Sequence, residues 1–191
     1  DISNDDLRRN LVNFLEMVLP VAEAAGVNLA IHPDDPPRAL LGMPRVICTA
    51  EDVSTLFQRL PSPANGLTLC VGTFGAHPQN DLPRMATQFG DRIHFAHLRG
   101  TRRDRENPLS FVEAEHLDSD IDMISVIRNL RRVESARFES GDLNDIIIRP
   151  DHGHLMLDDL HKQTNPGYSA IGRLKGLAEI RGVLKTLAVL E

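Results

Sequence analysis

The sequence predicts an α/β fold with a parallel sheet, and two features lead to that prediction. Short, nearly continuous apolar runs alternate with longer segments whose apolar residues recur at helical spacing. This alternation is typical of βα units, whose helices cover a parallel sheet. About four such units follow one another. A complete (β/α)8 barrel of the TIM type usually needs roughly 250 residues, so 191 residues suit one domain or part of a larger one.

The predicted helices are recognised by their apolar spacing and by their end signals. Ser3 and Asp6 form a capping-box pattern for a helix over 3–25, and Gly26 is suited to its C-terminal end. Pro20 is expected to kink or break this helix. The other helices are predicted over 49–60, 80–89, 120–130 with Asp120 as the cap, and 171–190.

The predicted strands are the short apolar runs between these helices. The polar segment 99–120 carries no predicted element, and no Pro/Ser-rich linker divides the chain, so we expect a single domain over 1–191. The strands are predicted over 27–31, 67–71, 93–98 and 146–148.

Four side chains with metal-binding chemistry lie at or near the C-terminal ends of the four predicted strands, namely His32, Cys70, His97 and Asp151. In a parallel barrel these ends share one face, which is where active sites lie. Imidazole and carboxylate suit manganese, iron or zinc, and a thiolate favours iron or zinc without excluding manganese. Any one of these residues alone is more often structural, but four at four strand ends predict a divalent metal site.

Three further residues have expected roles beside this site. Cys48 is assigned to the core, because cysteine is among the most buried residue types. His94 lies three residues before His97, so the two side chains should point to opposite faces of a strand and His94 should pack under a helix. His154 is expected to support the site.

Composition argues against several classes of function. The net charge is -6, there is one Tyr and no Trp, and no long basic run is present, which disfavours nucleic-acid binding. No apolar stretch approaches the roughly 18 residues of a membrane span. Two cysteines make no disulfide framework, so a reducing cytoplasm is expected. Because the first residue is Asp1, we expect the chain to begin inside a longer gene product.

Several motifs resemble those of the mannonate dehydratase family, and together they extend from the first helix to about Gly182. The motif at 149–154, Arg-Pro-Asp-His-Gly-His, is the most specific of them. The others are His-Pro-Asp-Asp-Pro-Pro at 32–37, Gly-Met-Pro-Arg at 42–45, Phe-Ala-His-Leu-Arg at 95–99, Met-Leu-Asp-Asp at 156–159, Thr-Asn-Pro-Gly-Tyr at 164–168 and Gly-Arg-Leu-Lys-Gly-Leu at 172–177.

This resemblance implies a fold, an activity and a set of site residues. The family has a barrel like that of xylose isomerase and longer chains, so the sequence is expected to form a partial barrel lacking the N-terminal strands. The implied reaction is removal of water from D-mannonate to give 2-dehydro-3-deoxy-D-gluconate in glucuronate catabolism, by a hydro-lyase. The implied metal is Mn²⁺, with Fe²⁺ as the rival, and the implied ligands are His32, Cys70, His97 and Asp151.

The resemblance also implies that His152 and Tyr168 are the acid/base pair. We interpret His152 as the general base, since imidazole suits proton abstraction near neutral pH. Tyr168 is then the general acid, with a packed surface tyrosine as the alternative. Arg99 is expected to hold the carboxylate or a hydroxyl of the substrate, because Arg–carboxylate contacts can be bidentate. The alternative for Arg99 is a surface salt bridge.

Two other functions stay open at this point. One is a metal-dependent sugar isomerase on the same barrel, although Cys70 as a ligand argues against it. The other is a non-catalytic metal-binding or interaction domain, because half a barrel leaves sheet edges open. The expected partners are a small sugar-acid substrate and further copies of the chain in a homo-oligomer, with no nucleic acid and no membrane.

Overall fold

A computed structural model describes residues 2–107, 110–142 and 144–190, which form a parallel sheet flanked by helices. The six strands are β1 Leu29–Ile31, β2 Asn65–Cys70, β3 Ile93–His97, β4 Gly100–Arg103, β5 Phe111–Ala114 and β6 Ile147–Arg149. The six α-helices are α1 Asn4–Ala24, α2 Ala50–Arg59, α3 Val71–Gly75, α4 Leu82–Gln88, α5 Met123–Glu139 and α6 Ala170–Leu190. Short 3₁₀ turns span Gly90–Arg92 and Leu157–His161.

The main sheet has the strand order β1-β2-β3-β6, and every neighbouring pair is parallel. The predicted α/β class is therefore confirmed. Cys70 of β2 lies opposite His97 of β3, and His97 lies opposite Arg149 of β6. This register brings the C-terminal ends of three adjacent strands to one level. It places the residues that follow these strands next to one another.

The first helix shows how local signals set an element. Ser3 accepts a hydrogen bond from the backbone of Asp6, and the predicted capping box is present. Gly26 has a φ of 65° and follows the C-cap, as expected for a C′ glycine. Pro20 does not break the helix, because α1 continues to Ala24. Pro20 lies in the penultimate turn, so its missing N–H removes only one helical hydrogen bond near the end.

The start of α5 differs from the prediction. The N-cap is Asp122, which accepts a hydrogen bond from the backbone of Ser125 at 3.1 Å. Asp120 instead accepts one from the backbone of Arg103 at 2.8 Å. The predicted cap therefore belongs to the connection between the preceding hairpin and α5.

That hairpin, β4–β5, lies in the polar segment for which no element was predicted. Its two strands pair antiparallel, and Thr101 of β4 donates a hydrogen bond to the Gly72 carbonyl at 3.0 Å. Because Gly72 follows the end of β2, this bond fixes the hairpin beside the strand ends. Within the described residues, no helix is both long and apolar enough to cross a membrane.

Candidate active site

Three of the four predicted metal ligands converge in the structure. His32 follows β1, Cys70 ends β2 and His97 ends β3, and one ligand atom from each lies within 4.8 Å of the others. The His32 and His97 ring centroids are 5.1 Å apart. These three residues and Asp151 are called the strand-end cluster below.

Asp151 adjoins the other three through His97. It follows β6 in the left-handed region, with a φ of 66°, which an Asp tolerates better than most side chains. Its Oδ2 lies 3.5 Å from His97 Nδ1, and its Oδ1 accepts a hydrogen bond from Arg149 at 2.6 Å. The carboxylate is thus nearly buried between a cation and the imidazole.

The strand-end cluster has the donor set of a divalent metal site. His32 Nδ1 donates to the Pro33 carbonyl at 2.7 Å, which leaves Nε2 as its ligand atom. Cys70 is fully buried, and its Sγ contacts Thr73 Oγ1 at 3.1 Å. His97 Nδ1 is buried without a hydrogen-bond partner among the described residues. An unpartnered buried nitrogen beside a sulfur, a second imidazole and a carboxylate fits a bound transition metal.

The predicted acid/base pair lies directly beside this cluster. His152 Nε2 is 3.1 Å from the Tyr168 hydroxyl and 3.8 Å from Asp151 Oδ2. The two rings meet edge to face with centroids 4.8 Å apart. A backbone hydrogen bond of 2.9 Å from Gly153 to Gly167 joins the segments that carry them. The segment 152–168 therefore closes into a loop whose two ends meet.

A chain of charged groups extends from the other ring nitrogen of His152. Nδ1 lies 2.9 Å from Glu113 Oε1, and Arg99 Nε donates to both Glu113 oxygens at 3.1 and 3.0 Å. Arg99 Nη1 donates to Asp35 at 2.6 Å. Asp35, Arg99, Glu113, His152 and Tyr168 are called the Glu113 network below.

The electrostatics of this network follow from burial and pairing. Burial of Glu113 raises the pKa of its carboxyl, but the hydrogen bonds from His152 and Arg99 outweigh burial and lower that pKa to about 2. Burial of Arg99 lowers the pKa of its guanidinium, and the contacts with Glu113 and Asp35 more than reverse this effect. Both groups are therefore charged at neutral pH.

The structure places Arg99 differently from a substrate-binding surface arginine. The residue is only 5% exposed, and carboxylates engage Nε, Nη1 and Nη2. Glu113 and Asp35 were missed as site residues. Glu113 lies on β5, which pairs with the four-residue strand β4. No sequence signal distinguishes Glu113 from Glu115 as a site residue. Asp35 lies in a loop, where side-chain direction follows no period.

The remaining predictions for this region have clear outcomes. Cys48 is buried, and burial, with smaller effects from Asp34 and Asp52, raises the pKa of its thiol to about 12, as suits a core residue. His94 lies against the segment before β2, with Nε2 3.2 Å from the Pro63 carbonyl. Burial lowers the pKa of His94.

His154 contacts a second group of potential ligands, formed by Glu115, His116 and Glu179. The ammonium group of Lys175 bridges the two carboxylates of this group. A cation from the protein itself therefore already binds both carboxylates, and the group joins the end of β5 to α6.

Parallel βα units and a ligand cluster at the strand ends define the class of this protein. It is an α/β protein of the (β/α)8-barrel type, and side chains that could hold a metal ion lie on the face where barrel enzymes carry their active sites. The chain belongs to the D-mannonate dehydratase (UxuA) family, whose model matches residues 1–190.

Individual relatives agree with this membership. The chain is 53% identical to mannonate dehydratase of Chromohalobacter salexigens over 99% of its length, and 51% identical to that of Rhizobium meliloti over 98%. It matches the crystal structure of mannonate dehydratase from Streptococcus suis with a TM-score of 0.86 and 35% identity, over 98% of the chain. The IOLI protein, solved with a zinc atom, matches at 16% identity with a TM-score of 0.58, which shows a shared fold.

The chain spans about half of these relatives. It covers 49% and 47% of the two curated proteins and 51% of the Streptococcus suis chain. A four-stranded parallel sheet that matches half of a longer chain agrees with the expected partial barrel.

Proposed function

We propose that this chain carries the metal site and the acid/base residues of a D-mannonate dehydratase, a hydro-lyase of carbohydrate metabolism. The proposed reaction converts D-mannonate to 2-dehydro-3-deoxy-D-gluconate in glucuronate catabolism. The observation that carries the proposal is the contact between His152 and Tyr168 directly beside the strand-end cluster. Membership of the family supports the same conclusion.

Dehydration of this substrate begins at a proton that is only feebly acidic. The C2 proton is α to a carboxylate, and its removal adds negative charge to oxygens that are already charged. A divalent cation beside those oxygens would act as a Lewis acid and stabilise the added negative charge. We assign Mn²⁺, with Fe²⁺ as the rival, and the residues that would hold it are His32, Cys70, His97 and Asp151.

The protein residues then move two protons. His152 takes the proton from C2, and the electron pair of the broken C–H bond forms the C2–C3 double bond as the C3 hydroxyl departs. Tyr168 gives its phenolic proton to that hydroxyl, so water leaves. The enol tautomerises to the 2-keto acid. Their mutual contact of 3.1 Å gives a route for the proton on His152 to return to Tyr168.

We propose for Arg99 a role that differs from the expected contact with substrate. Its guanidinium is buried between Asp35 and Glu113. Arg149 has a more accessible guanidinium, with 43% of its side chain exposed, and it holds Asp151 from the outside. We therefore assign Arg99 to positioning of Glu113, and Arg149 is the better placed cation for an anionic substrate.

The test uses His152→Asn with His161→Asn as the control, because His161 is an exposed histidine in the 3₁₀ turn Leu157–His161. Turnover of D-mannonate by His152→Asn should fall by about 10²- to 10⁴-fold, the usual contribution of a general base. Its metal content should stay at the wild-type level. Product analysis separates a 2-keto-3-deoxy acid from the ketose that an isomerase would form.

Wild-type turnover in His152→Asn would end the assignment of the base. A ketose product would replace the dehydratase by the sugar isomerase. Metal binding without any turnover by the full chain would favour the non-catalytic alternative.

Two properties accompany this proposal. Both cysteines are free, in agreement with the proposed cytoplasmic location. A homo-oligomer and a single domain over 1–191 stay predictions, and sedimentation equilibrium together with limited proteolysis tests them.

A further inference from the structure

The direction of the hydrogen bond between His152 and Glu113 is fixed by chemistry. An ionised carboxylate has only acceptor atoms. His152 Nδ1, at 2.9 Å from Glu113 Oε1, must therefore carry the proton. When the ring is neutral, its lone pair is then on Nε2, the nitrogen that faces the Tyr168 hydroxyl at 3.1 Å.

The position of Glu113 is itself constrained. Arg99 Nε lies within 3.1 Å of both carboxylate oxygens, and the opposite side of the guanidinium binds Asp35. The stem of Arg99 leaves no space for another group, since a Cβ on Gly72 would lie 2.6 Å from its Cγ and Cδ. The carboxylate is thus held by a buried cation with little freedom to move.

We infer that Glu113 is a positioning residue, which fixes the tautomer and the ring orientation of His152, and that Arg99 and Asp35 hold Glu113 in place. Tyr168 then donates its hydroxyl proton to His152 Nε2 in the resting site. The effect on turnover rests on the proposed function, whereas the tautomer itself can be measured independently of any reaction.

A second carboxylate–histidine pair, formed by Glu115 and His154, lacks the support that Arg99 gives to Glu113. Glu115 lies 3.3 Å from His154 Nδ1, but its other oxygen binds Lys175 and its histidine is 46% exposed. Glu115 is paired with the ammonium group of Lys175, whereas Glu113 is paired with a buried guanidinium. Glu115 therefore supplies a control with the same chemistry and without the rigid support.

The first experiment reads the tautomer of His152 by nitrogen NMR. Histidine labelled with ¹⁵N in the full chain, without added metal and above the imidazole titration range, gives long-range proton–nitrogen patterns that differ between tautomers. The His152 signal is assigned by its loss in His152→Asn. We expect the Nδ1–H form in the wild type and in Glu115→Gln.

Removal of the carboxylate should change this result. In Glu113→Ala we expect the Nε2–H form or a mixture of the two forms. Glu113→Gln is the milder variant if Glu113→Ala does not fold, because one amide oxygen must then serve both Arg99 and His152, and a partial shift is expected. An Nε2–H form in the wild type, or an unchanged His152 signal in a folded Glu113 variant, overturns the inference.

The second experiment measures D-mannonate turnover. Glu113→Gln should lower kcat by about 10- to 100-fold, the range for a partner that orients a functional histidine. KM and metal content should stay within about twofold of the wild type, which a general loss of folding would not allow. If the wild type shows the expected tautomer but no turnover, only the proposed function is contradicted. If the wild type is active but the tautomer of His152 does not depend on Glu113, only this inference is contradicted.

Discussion

The strand-end cluster and the Glu113 network lie side by side, but they are built from different architecture. The cluster uses the ends of parallel strands, where the register between β2, β3 and β6 sets the spacing of the side chains. The network draws Glu113 from an antiparallel hairpin and His152 and Tyr168 from a loop closed on itself. The comparison indicates that the proposed metal binding depends on the sheet, whereas the proposed proton transfer depends on the hairpin and the loop beside the sheet.

The largest expected effect is on the metal affinity of the strand-end cluster, compared between two histidines of β3. His97→Gln should weaken Mn²⁺ binding at least about 100-fold, because losing even an outer-shell partner of a metal ligand costs 10- to 100-fold. His94→Gln, three residues earlier on the same strand, should bind Mn²⁺ as the wild type does. Titration calorimetry on both variants gives the two affinities. Equal losses in both would mean that the sheet, and not the ligand, was damaged.

A second prediction concerns the acid stability that the network provides. The pKa of Glu113 is lowered from 4.5 to about 2 in the folded protein, so its contribution is present above about pH 4.5 and is lost as pH falls towards about 2. Its hydrogen bonds with Arg99 and His152 should stabilise the fold by about 1.5–3 kcal/mol.

Urea unfolding of wild type and Glu113→Gln across this pH range measures that contribution. The free energy of unfolding should fall more steeply with acid in the wild type than in the variant. Parallel curves would show that the Glu113 carboxylate is not held more tightly in the folded state.

The smallest predicted effects test how the loop with His152 is seated on α6. A Cβ on Gly172 would lie 2.2 Å from the His154 carbonyl oxygen, whereas a Cβ on Gly182 in the same helix meets nothing within 4 Å. Gly172→Ala should therefore destabilise the protein by about 1–3 kcal/mol. Gly182→Ala should stabilise it by about 0.5–1 kcal/mol. Chemical denaturation measures both, and effects of the same sign would contradict the close approach of loop and helix.

Much of the parallel part of the fold could be predicted from the sequence, because buried strands and amphipathic helices impose a period on it. The strand predicted over 93–98 is observed as Ile93–His97, and that over 67–71 as Asn65–Cys70. Predicted strand ends were enough to select His32, Cys70 and His97 from eight histidines and two cysteines.

The hairpin could not be predicted in the same way. β4 and β5 are only four residues each, and polar side chains such as Arg102, Arg103 and Glu113 conceal any apolar period. Their pairing depends on contacts with the strand ends, such as that between Thr101 and Gly72. The start of α5 was predicted two residues early, at Asp120, because an Asp has the chemistry of a helix cap. The Asp120 carboxylate instead binds the backbone of Arg103 in the hairpin, and Asp122 is the N-cap.

Cobalt titration of the full chain shows whether the strand-end cluster binds a metal through Cys70, because a cobalt–thiolate bond has an ultraviolet charge-transfer band that nitrogen and oxygen ligands do not give. We predict that the band grows to one cobalt per chain, that Cys70→Ser abolishes it, and that Cys48→Ser retains it. A band that survives in Cys70→Ser, or no band in the folded wild type, would contradict a metal site at the ends of the parallel strands.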